Sequence, residues 1–347
     1  MKKVFAFIVT LLLCVNIFAQ HSKVLFIGNS YTSVNNLPEL ISNIFTSTGD
    51  TLLYEMSAPG GCTFQQHCNV SMPYIQQGGW DYVVLQEQSQ LPSFPESQFM
   101  QESYPYAHQL CEAIQQYNPD VKTVFYMTWG RKNGDAQNCP YYPPLCTYEG
   151  MDSLLYARYM MLAQDNHACV SPVGAALHYV RDHYPQIELY QSDESHPSYM
   201  GSYIAACCFY TYFTQQNPMN ITWNSTLDAE LANLAKLAVK AVVYDSLSKW
   251  CFPEDTVPDD STAVNDVISD SFLVYPNPAN NILRIHASNV TGFFSLKMVD
   301  LMGNIVYQKT GVVSDEVFDV SSFPNGVYLV RLSNGKCHYT KTITIHH

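Results

Sequence analysis

From Lys23 to about Trp250 short apolar runs alternate with longer amphipathic stretches, and this alternation restricts the fold more than any other feature. Residues 24–27, 52–56, 82–86, 123–128 and 168–172 have the length and apolar character of buried strands, and 187–190 is a possible sixth. Helical periodicity falls between them, near 37–47, 96–117, 151–166, 174–184, 198–214 and 226–249. Parallel strands need long crossover connections, which helices supply, so the expected fold class is α/β: a three-layer α/β/α arrangement around a parallel sheet. In such sheets ligands bind beyond the carboxyl ends of the strands, which directs attention to the residues following each apolar run.

The pattern stops at residue 253. Residues 253–271 (PEDTVPDDSTAVNDVISDS) carry six acidic residues and no lysine or arginine, the composition of an extended, self-repelling linker. Residues 272–347 then become strand-rich, with runs FLVYP, ILRIHA, FFSLKMVD, IVYQK, VYLVRL and TKTITI separated by NPANN, MGN, FPNG and SNGK. Short strands punctuated by Asn-Gly and Gly-Asn turns predict a small antiparallel β-sandwich. At the other end, MKKVFAFIVTLLLCVNIFAQ has two lysines, an apolar run and Ala19 at a suitable cleavage point, the pattern of a secretory signal peptide over 1–19. The run is shorter than the ~20 residues a membrane span requires, so no transmembrane anchor is expected after processing. The expected domain plan is therefore 1–19, 20–252, 253–271 and 272–347.

The formal charge of -13 has no basic stripe within it and would repel a phosphate backbone, which disfavours nucleic acid as a partner. In an exported chain disulfides persist. Cys139 and Cys146, in a loop rich in Pro and Tyr, form the best candidate pair, and Cys62 with Cys68 the second. Cys207 and Cys208 lie on an apolar helix and are expected to be buried thiols. His67, His108, His167, His178 and His183 are scattered without metal-ligand spacing, so neither a metal nor an organic cofactor is expected.

Two segments carry the pattern of nucleophilic catalysis. The first strand ends in Gly28-Asn29-Ser30-Tyr31, where a glycine-permitted turn would expose Ser30 at the sheet's carboxyl edge. Downstream, Asp193-Glu194-Ser195-His196 places a carboxylate three residues before a histidine, close enough to orient the imidazole while its other nitrogen takes a proton from a serine. Ser30, Asp193 and His196 together supply nucleophile, orienter and base. Asn29, Trp129 and Arg131, beside the same edge, are candidate substrate contacts, and the insertion 133–150 is long enough to act as a lid.

Gly28-Asn29-Ser30 and Asp193-x-x-His196 resemble the SGNH, or GDSL-like, hydrolases over roughly residues 22–250. The resemblance implies that Ser30 is the nucleophile and that the Ser30 and Gly61 amides line an oxyanion hole, Gly61 being preferred over Gly60. The third donor in that family is usually an asparagine in a Gly-x-Asn-Asp block. Here strand three is followed by Gln86-Glu87-Gln88-Ser89, so the resemblance leaves Gln86 or Gln88 to donate. This block is similar to that of the sialate O-acetylesterase-like branch and to a group sharing GNS, LQEQS and DESHPS. A secreted esterase acting on O-acetylated carbohydrate is the expectation, ahead of a catalytically impaired glycan-binding or adhesion protein and of a lipase or thioesterase.

The tail has its own resemblance. Val274-Tyr275-Pro276-Asn277-Pro278-Ala279, Asp300-Leu301-Met302-Gly303 and Asn325-Gly326-Val327-Tyr328-Leu329 are similar, in order, to the C-terminal sorting domain of the type IX secretion system. That implies the secretion machinery as a partner and passage through the periplasm and outer membrane to the cell surface or medium.

Overall fold

The computed structural model describes residues 21–252, 272–287, 294–300, 304–312, 315–333 and 338–347. The 1–19 leader and the 253–271 linker lie outside the described residues. The chain forms two compact units, divided between Thr256 and Val257.

In the first unit, β1 (His21–Ile27), β2 (Thr51–Ser57), β3 (Tyr82–Leu85), β4 (Lys122–Tyr126) and β5 (Cys169–Ser171) form a parallel sheet in the order β2-β1-β3-β4-β5. The order reverses at β1, which has β2 on one side and β3 on the other. The helices are α1 (Ser30–Ser33), α2 (Leu37–Ser47), α3 (Phe64–Val70), α4 (Met72–Gln77), α5 (Glu96–Glu102), α6 (Tyr104–Tyr117), α7 (Tyr148–Asp165), α8 (Val173–His183), α9 (Tyr199–Thr214) and α10 (Ala229–Val242).

Strand alternation divides the core into two layers. Val24, Phe26, Val84, Val124 and Tyr126 pack against α2, α8, α9 and α10, whereas Leu25, Ile27, Val83, Leu85 and Phe125 pack against α3, α4, α6 and α7. Because both faces are covered, the strands are nearly all apolar, as a parallel sheet requires. Every side chain of β3 is buried.

Several expectations need correction. Residues 187–190 add no strand; Tyr190 makes only an isolated bridge to Pro197. The helix expected over 96–117 is two helices that part at Ser103, two residues before Pro105. The segment expected to be helical to 249 leaves α-helix at Val242 and ends in a 3-10 stretch. Cys139 and Cys146 are bonded, while Cys62 and Cys68 are free thiols. A second disulfide joins Cys169 on β5 to Cys251, and Cys207 and Cys208 are buried thiols.

Among the described residues the regular structure of the second unit is wholly β. β6 (Phe272–Tyr275), β7 (Ile282–Ala287), β8 (Phe294–Asp300), β9 (Ile305–Val312), β10 (Asp315–Asp319), β11 (Gly326–Ser333) and β12 (His338–Ile345) form antiparallel sheets ordered β10-β7-β6 and β12-β11-β8-β9. Leu283, Ile285 and Phe318 from one sheet meet Leu296, Met298, Val330 and Ile343 from the other in a single core. β10 is an addition to the expected strands; its acidic residues hide the one side chain it gives to the core, Phe318.

Candidate active site

The sheet's carboxyl edge at β1 brings together loops from four parts of the chain. Gly28 is required there by space: a Cβ would lie 2.4 Å from Thr32 Oγ1 and 2.7 Å from Gln86 Oε1. Its carbonyl accepts from His67 Nε2 at 2.8 Å, and His67 Nδ1 meets Ser71 Oγ at 2.7 Å. The carbonyl fixes the tautomer, so Nδ1 is the acceptor. Burial lowers the His67 pKa, against the raising effect of the Gly28 bond, and the ring serves as a neutral brace under the turn.

Asn29 is buried and joins three loops. Its Oδ1 accepts from the Tyr31 amide, capping α1, and its Nδ2 donates to the carbonyls of Cys62 and Glu87 at 3.1 and 3.3 Å. These bonds make Asn29 a tie between loops and correct the expectation of a substrate contact. Ser30 follows as the first residue of α1, with an amide that has no hydrogen bond among the described residues.

Facing it is the loop that precedes α9. Asp193 Oδ1 accepts from the amides of Ser195 and His196 at 3.1 and 3.0 Å, its Oδ2 meets His196 Nδ1, and His196 Nε2 lies 2.8 Å from Ser30 Oγ. Burial pushes the Asp193 carboxyl up, but the bonds from the His196 ring and the two amides outweigh it and hold its pKa below the usual carboxylate range. The two segments, more than 160 residues apart, thus bring nucleophile, base and orienter into one hydrogen-bonded line.

The packing behind this line was not legible in the sequence. Tyr31 stacks on Trp129, with ring centroids 4.7 Å apart and planes 8° apart, and meets the His196 ring edge-on at 5.4 Å. Its hydroxyl is 2.7 Å from Ser195 Oγ, and Trp129 Nε1 donates to the Ser195 carbonyl at 3.2 Å. Trp129 is 0% exposed, so it supports the histidine loop instead of touching a sugar. Arg131 pairs with the buried Asp135 at 3.0 Å. Burial pushes the Asp135 pKa up, and bonds from Asn138 and Gln90 together with the Arg131 charge more than offset this. The 133–150 insertion is organised around that carboxylate, which also accepts from the Gln137 amide.

On the opposite side of Ser30 the two glutamines have separate fates. Gln86 is 0% exposed: Oε1 accepts from the Asn29 amide and Thr32 Oγ1 at 3.0 and 2.9 Å, and Nε2 donates to the Glu87 carbonyl. It braces the nucleophile turn from beneath. Gln88 is half-buried; Oε1 accepts from the Gln90 and Leu91 amides, and Nε2 donates one bond to Gln90 Oε1. Gly61 sits at φ +66°, a conformation that favours glycine, is exposed, and has an amide without a hydrogen bond among the described residues.

Between them Glu87 is fully buried. It accepts from the Phe64 amide at 2.9 Å, the Gln88 amide at 2.6 Å and Ser103 Oγ at 2.7 Å, which fastens the start of α3 and the break before α6 to the loop after β3. Burial pushes its pKa up to about 7, against these three bonds. Beside this loop opens a cleft of about 300 Å³ that includes Thr63, Gln65, Gln88, Gln90, Phe94 and Glu102 in its lining. Among the described residues no group of three or more His, Cys, Asp or Glu is arranged to hold a metal ion, and no helix is long and apolar enough to cross a membrane.

Residues 273–346 match the secretion system C-terminal sorting domain. The chain therefore carries a type IX export tail, which directs it to the cell surface or out of the cell. No curated protein matches. Among solved structures, a DUF4886 family protein from Bacteroides uniformis is similar at 17% identity and a TM-score of 0.57, over 66% of this chain and 95% of that one. That likeness establishes the α/β fold. A protein from Slackia heliotrinireducens assigned to the SGNH hydrolases matches at 25% identity over 56% of this chain and 98% of its own, with a TM-score of 0.46. A variant of a Geobacillus acetyl-xylooligosaccharide esterase matches at 18% identity over 60% and 98%, with a TM-score of 0.40.

Proposed function

We propose that the protein is an exported serine esterase that removes short acyl groups, acetyl foremost, from carbohydrate. The observation that carries the reading is the unbroken line from Asp193 through His196 to Ser30 Oγ, with 2.8 Å between the imidazole and the hydroxyl. Ser30 Oγ attacks the ester carbonyl as its proton passes to His196 Nε2, and Asp193 holds the imidazole in orientation and stabilises the imidazolium. The Ser30 and Gly61 amides, both without a partner among the described residues, suit the developing oxyanion, and the remaining Gln88 amide proton is the third candidate. His196 returns the proton to the departing alcohol oxygen. Water, deprotonated by the same ring, then cleaves the acyl-serine to release the acid and restore Ser30.

Carbohydrate is favoured because export places the protein where glycans are, and because the cleft beside the serine loop is lined mainly by uncharged polar side chains, Thr63, Gln65, Gln88 and Gln90. The test is acetate release by the purified full chain from 4-nitrophenyl acetate and from acetylated oligosaccharides, with Ser30→Ala in parallel. Release that depends on Ser30 is expected. Binding of oligosaccharide without release would move the assignment to a glycan-binding protein, and rates that rise with acyl length would indicate a lipase or thioesterase.

A further inference from the structure

We infer that the cleft over Phe94 is the sugar subsite of this esterase and that it selects uncharged sugar rings against anionic ones. The inference rests on the esterase reading for its reaction and on the cleft alone for its ligand. Its position follows from the ties made by Asn29. The Asn29 side chain bonds the carbonyls of Cys62 and Glu87, and the next residues along both strands of chain, Thr63 and Gln88, line the cleft. The cleft therefore borders the nucleophile turn on the side of Gly61, where the acyl oxygen would be held and the alcohol part of an ester must lie nearby.

The lining defines the chemistry. At about 300 Å³ the cleft is at the small end of ligand sites and suits a single ring with its neighbours in solvent. Phe94 supplies a partly exposed aromatic surface of the kind that packs on the C–H face of a sugar. Gln65 donates to Tyr106 at 2.8 Å, so its Oε1 remains an open acceptor, and the Thr63 hydroxyl, which accepts from the Gln66 amide at 3.3 Å, keeps its own proton as an open donor. An acceptor and a donor in one lining match hydroxyl groups, which do both.

Charge supplies the selection. Among the described residues no lysine or arginine lines the cleft. The cation nearest along the Gln88–Gln90 network, Arg131, is committed to Asp135 at 3.0 Å. Glu102, exposed and held by Gln98 at 3.0 Å, is the one charged group in the lining. A carboxylated sugar, whether a uronate or a sialate, would meet a like charge with nothing to neutralise it, which is how sites reject a competitor.

The experiment uses the full chain and three substrates: 4-nitrophenyl acetate, an acetylated neutral β-linked oligosaccharide, and an acetylated oligouronate of the same length. The wild type is expected to favour the neutral oligosaccharide over the uronate by about tenfold or more in kcat/KM at low salt. Phe94→Ala should raise KM for the neutral oligosaccharide about tenfold more than for the aryl ester. Glu102→Lys should narrow or reverse the neutral-to-uronate ratio, chiefly by lowering KM for the uronate. Equal turnover of the two oligosaccharides by the wild type, or a ratio unmoved by Glu102→Lys, would overturn the proposal. If no substrate is hydrolysed in a Ser30-dependent way, the esterase reading fails by itself. Calorimetric titration of Ser30→Ala with the deacetylated neutral oligosaccharide then decides the subsite: heat lost on adding Phe94→Ala supports it, and no heat in either protein overturns it.

Discussion

The two sides of the Ser30 turn are built on different principles. On the base side, every group that would handle the proton is in direct contact with the next, and an apolar wall of Tyr31 and Trp129 backs the line. On the acyl-oxygen side, polar side chains point inward: Gln86 and Glu87 are buried and spend most of their bonds on backbone. A proton relay needs side chains aimed at one another, whereas an oxyanion site can be made of amides whose position is set from behind. Gln86, Glu87 and Asn29 are placed to do that setting.

The largest effects should come from the base side. Ser30→Ala and Asp193→Asn should each lower kcat by roughly 10³–10⁴ or more while leaving circular dichroism unchanged, as for other units of this kind; steady-state acetate release measures it. On the other side, Gln88→Ala should lower kcat by about 10²–10³ if Gln88 completes the oxyanion site. Gln86→Ala should appear first as lost stability of about 1–3 kcal/mol, because it leaves a buried amide unpaired, and denaturant midpoints separate the two. Equal behaviour of the two glutamines would erase the contrast drawn here.

Next is Gly28→Ala. Its new methyl would collide with Thr32 and Gln86, costing about 1–3 kcal/mol and loosening the turn on both sides, so thermal melting and kcat should fall together. Glu87 gives a pH test. Its carboxyl is raised to about 7 when folded, so between its unfolded value and about 7 the native state binds more proton than the unfolded chain, and stability falls as pH rises through that window. Across it the loss is about 3 kcal/mol at most. Glu87→Gln should remove this slope and gain on the wild type from pH 5 to pH 8 in urea titrations. The smallest effect is Tyr31→Phe, which keeps the stack on Trp129 but loses the bond to Ser195, for about 1 kcal/mol and a mild fall in kcat.

How much of this was legible in the sequence follows the range of each interaction. The sheet strands announced themselves because a fully covered parallel strand is apolar at every position. Residues 187–190 looked alike, but the chain turns immediately into the Gln191–His196 loop and pairs only through the single Tyr190 bridge to Pro197. The break at Ser103 has a local cause in Pro105, which cannot donate an amide bond, and a distant one in Glu87, which accepts from the Ser103 hydroxyl. Cysteine spacing found the pair in the 133–150 loop and misjudged Cys62 and Cys68, since spacing does not specify which way the side chains point. The Cys169–Cys251 bond, 82 residues long in sequence, has no local signal.

In the site, Ser30, Asp193 and His196 were visible because each follows a strand or sits at fixed spacing from its partner. Tyr31 was hidden beside Ser30, as stacking on Trp129 depends on the segments after β1 and β4 meeting past the end of β3. Trp129 and Asn29 were expected to face substrate and are buried, a distinction that residue type at a strand end does not make. Gln86 and Gln88 both lie beyond β3 and differ in their partners, which residue type does not reveal: Gln86 turns under the Asn29 amide and Thr32, while Gln88 turns to the Gln90 and Leu91 amides.

The central claim is that Ser30 is the nucleophile in a relay with His196. The direct measurement is mass spectrometry of the full chain after reaction with a serine-directed organophosphonate, alongside acetate release. The account predicts one adduct, on the peptide containing Ser30, formed in step with loss of release and slowed strongly in Asp193→Asn. Release that persists in Ser30→Ala, or complete inactivation with the Ser30 peptide unmodified, would contradict it.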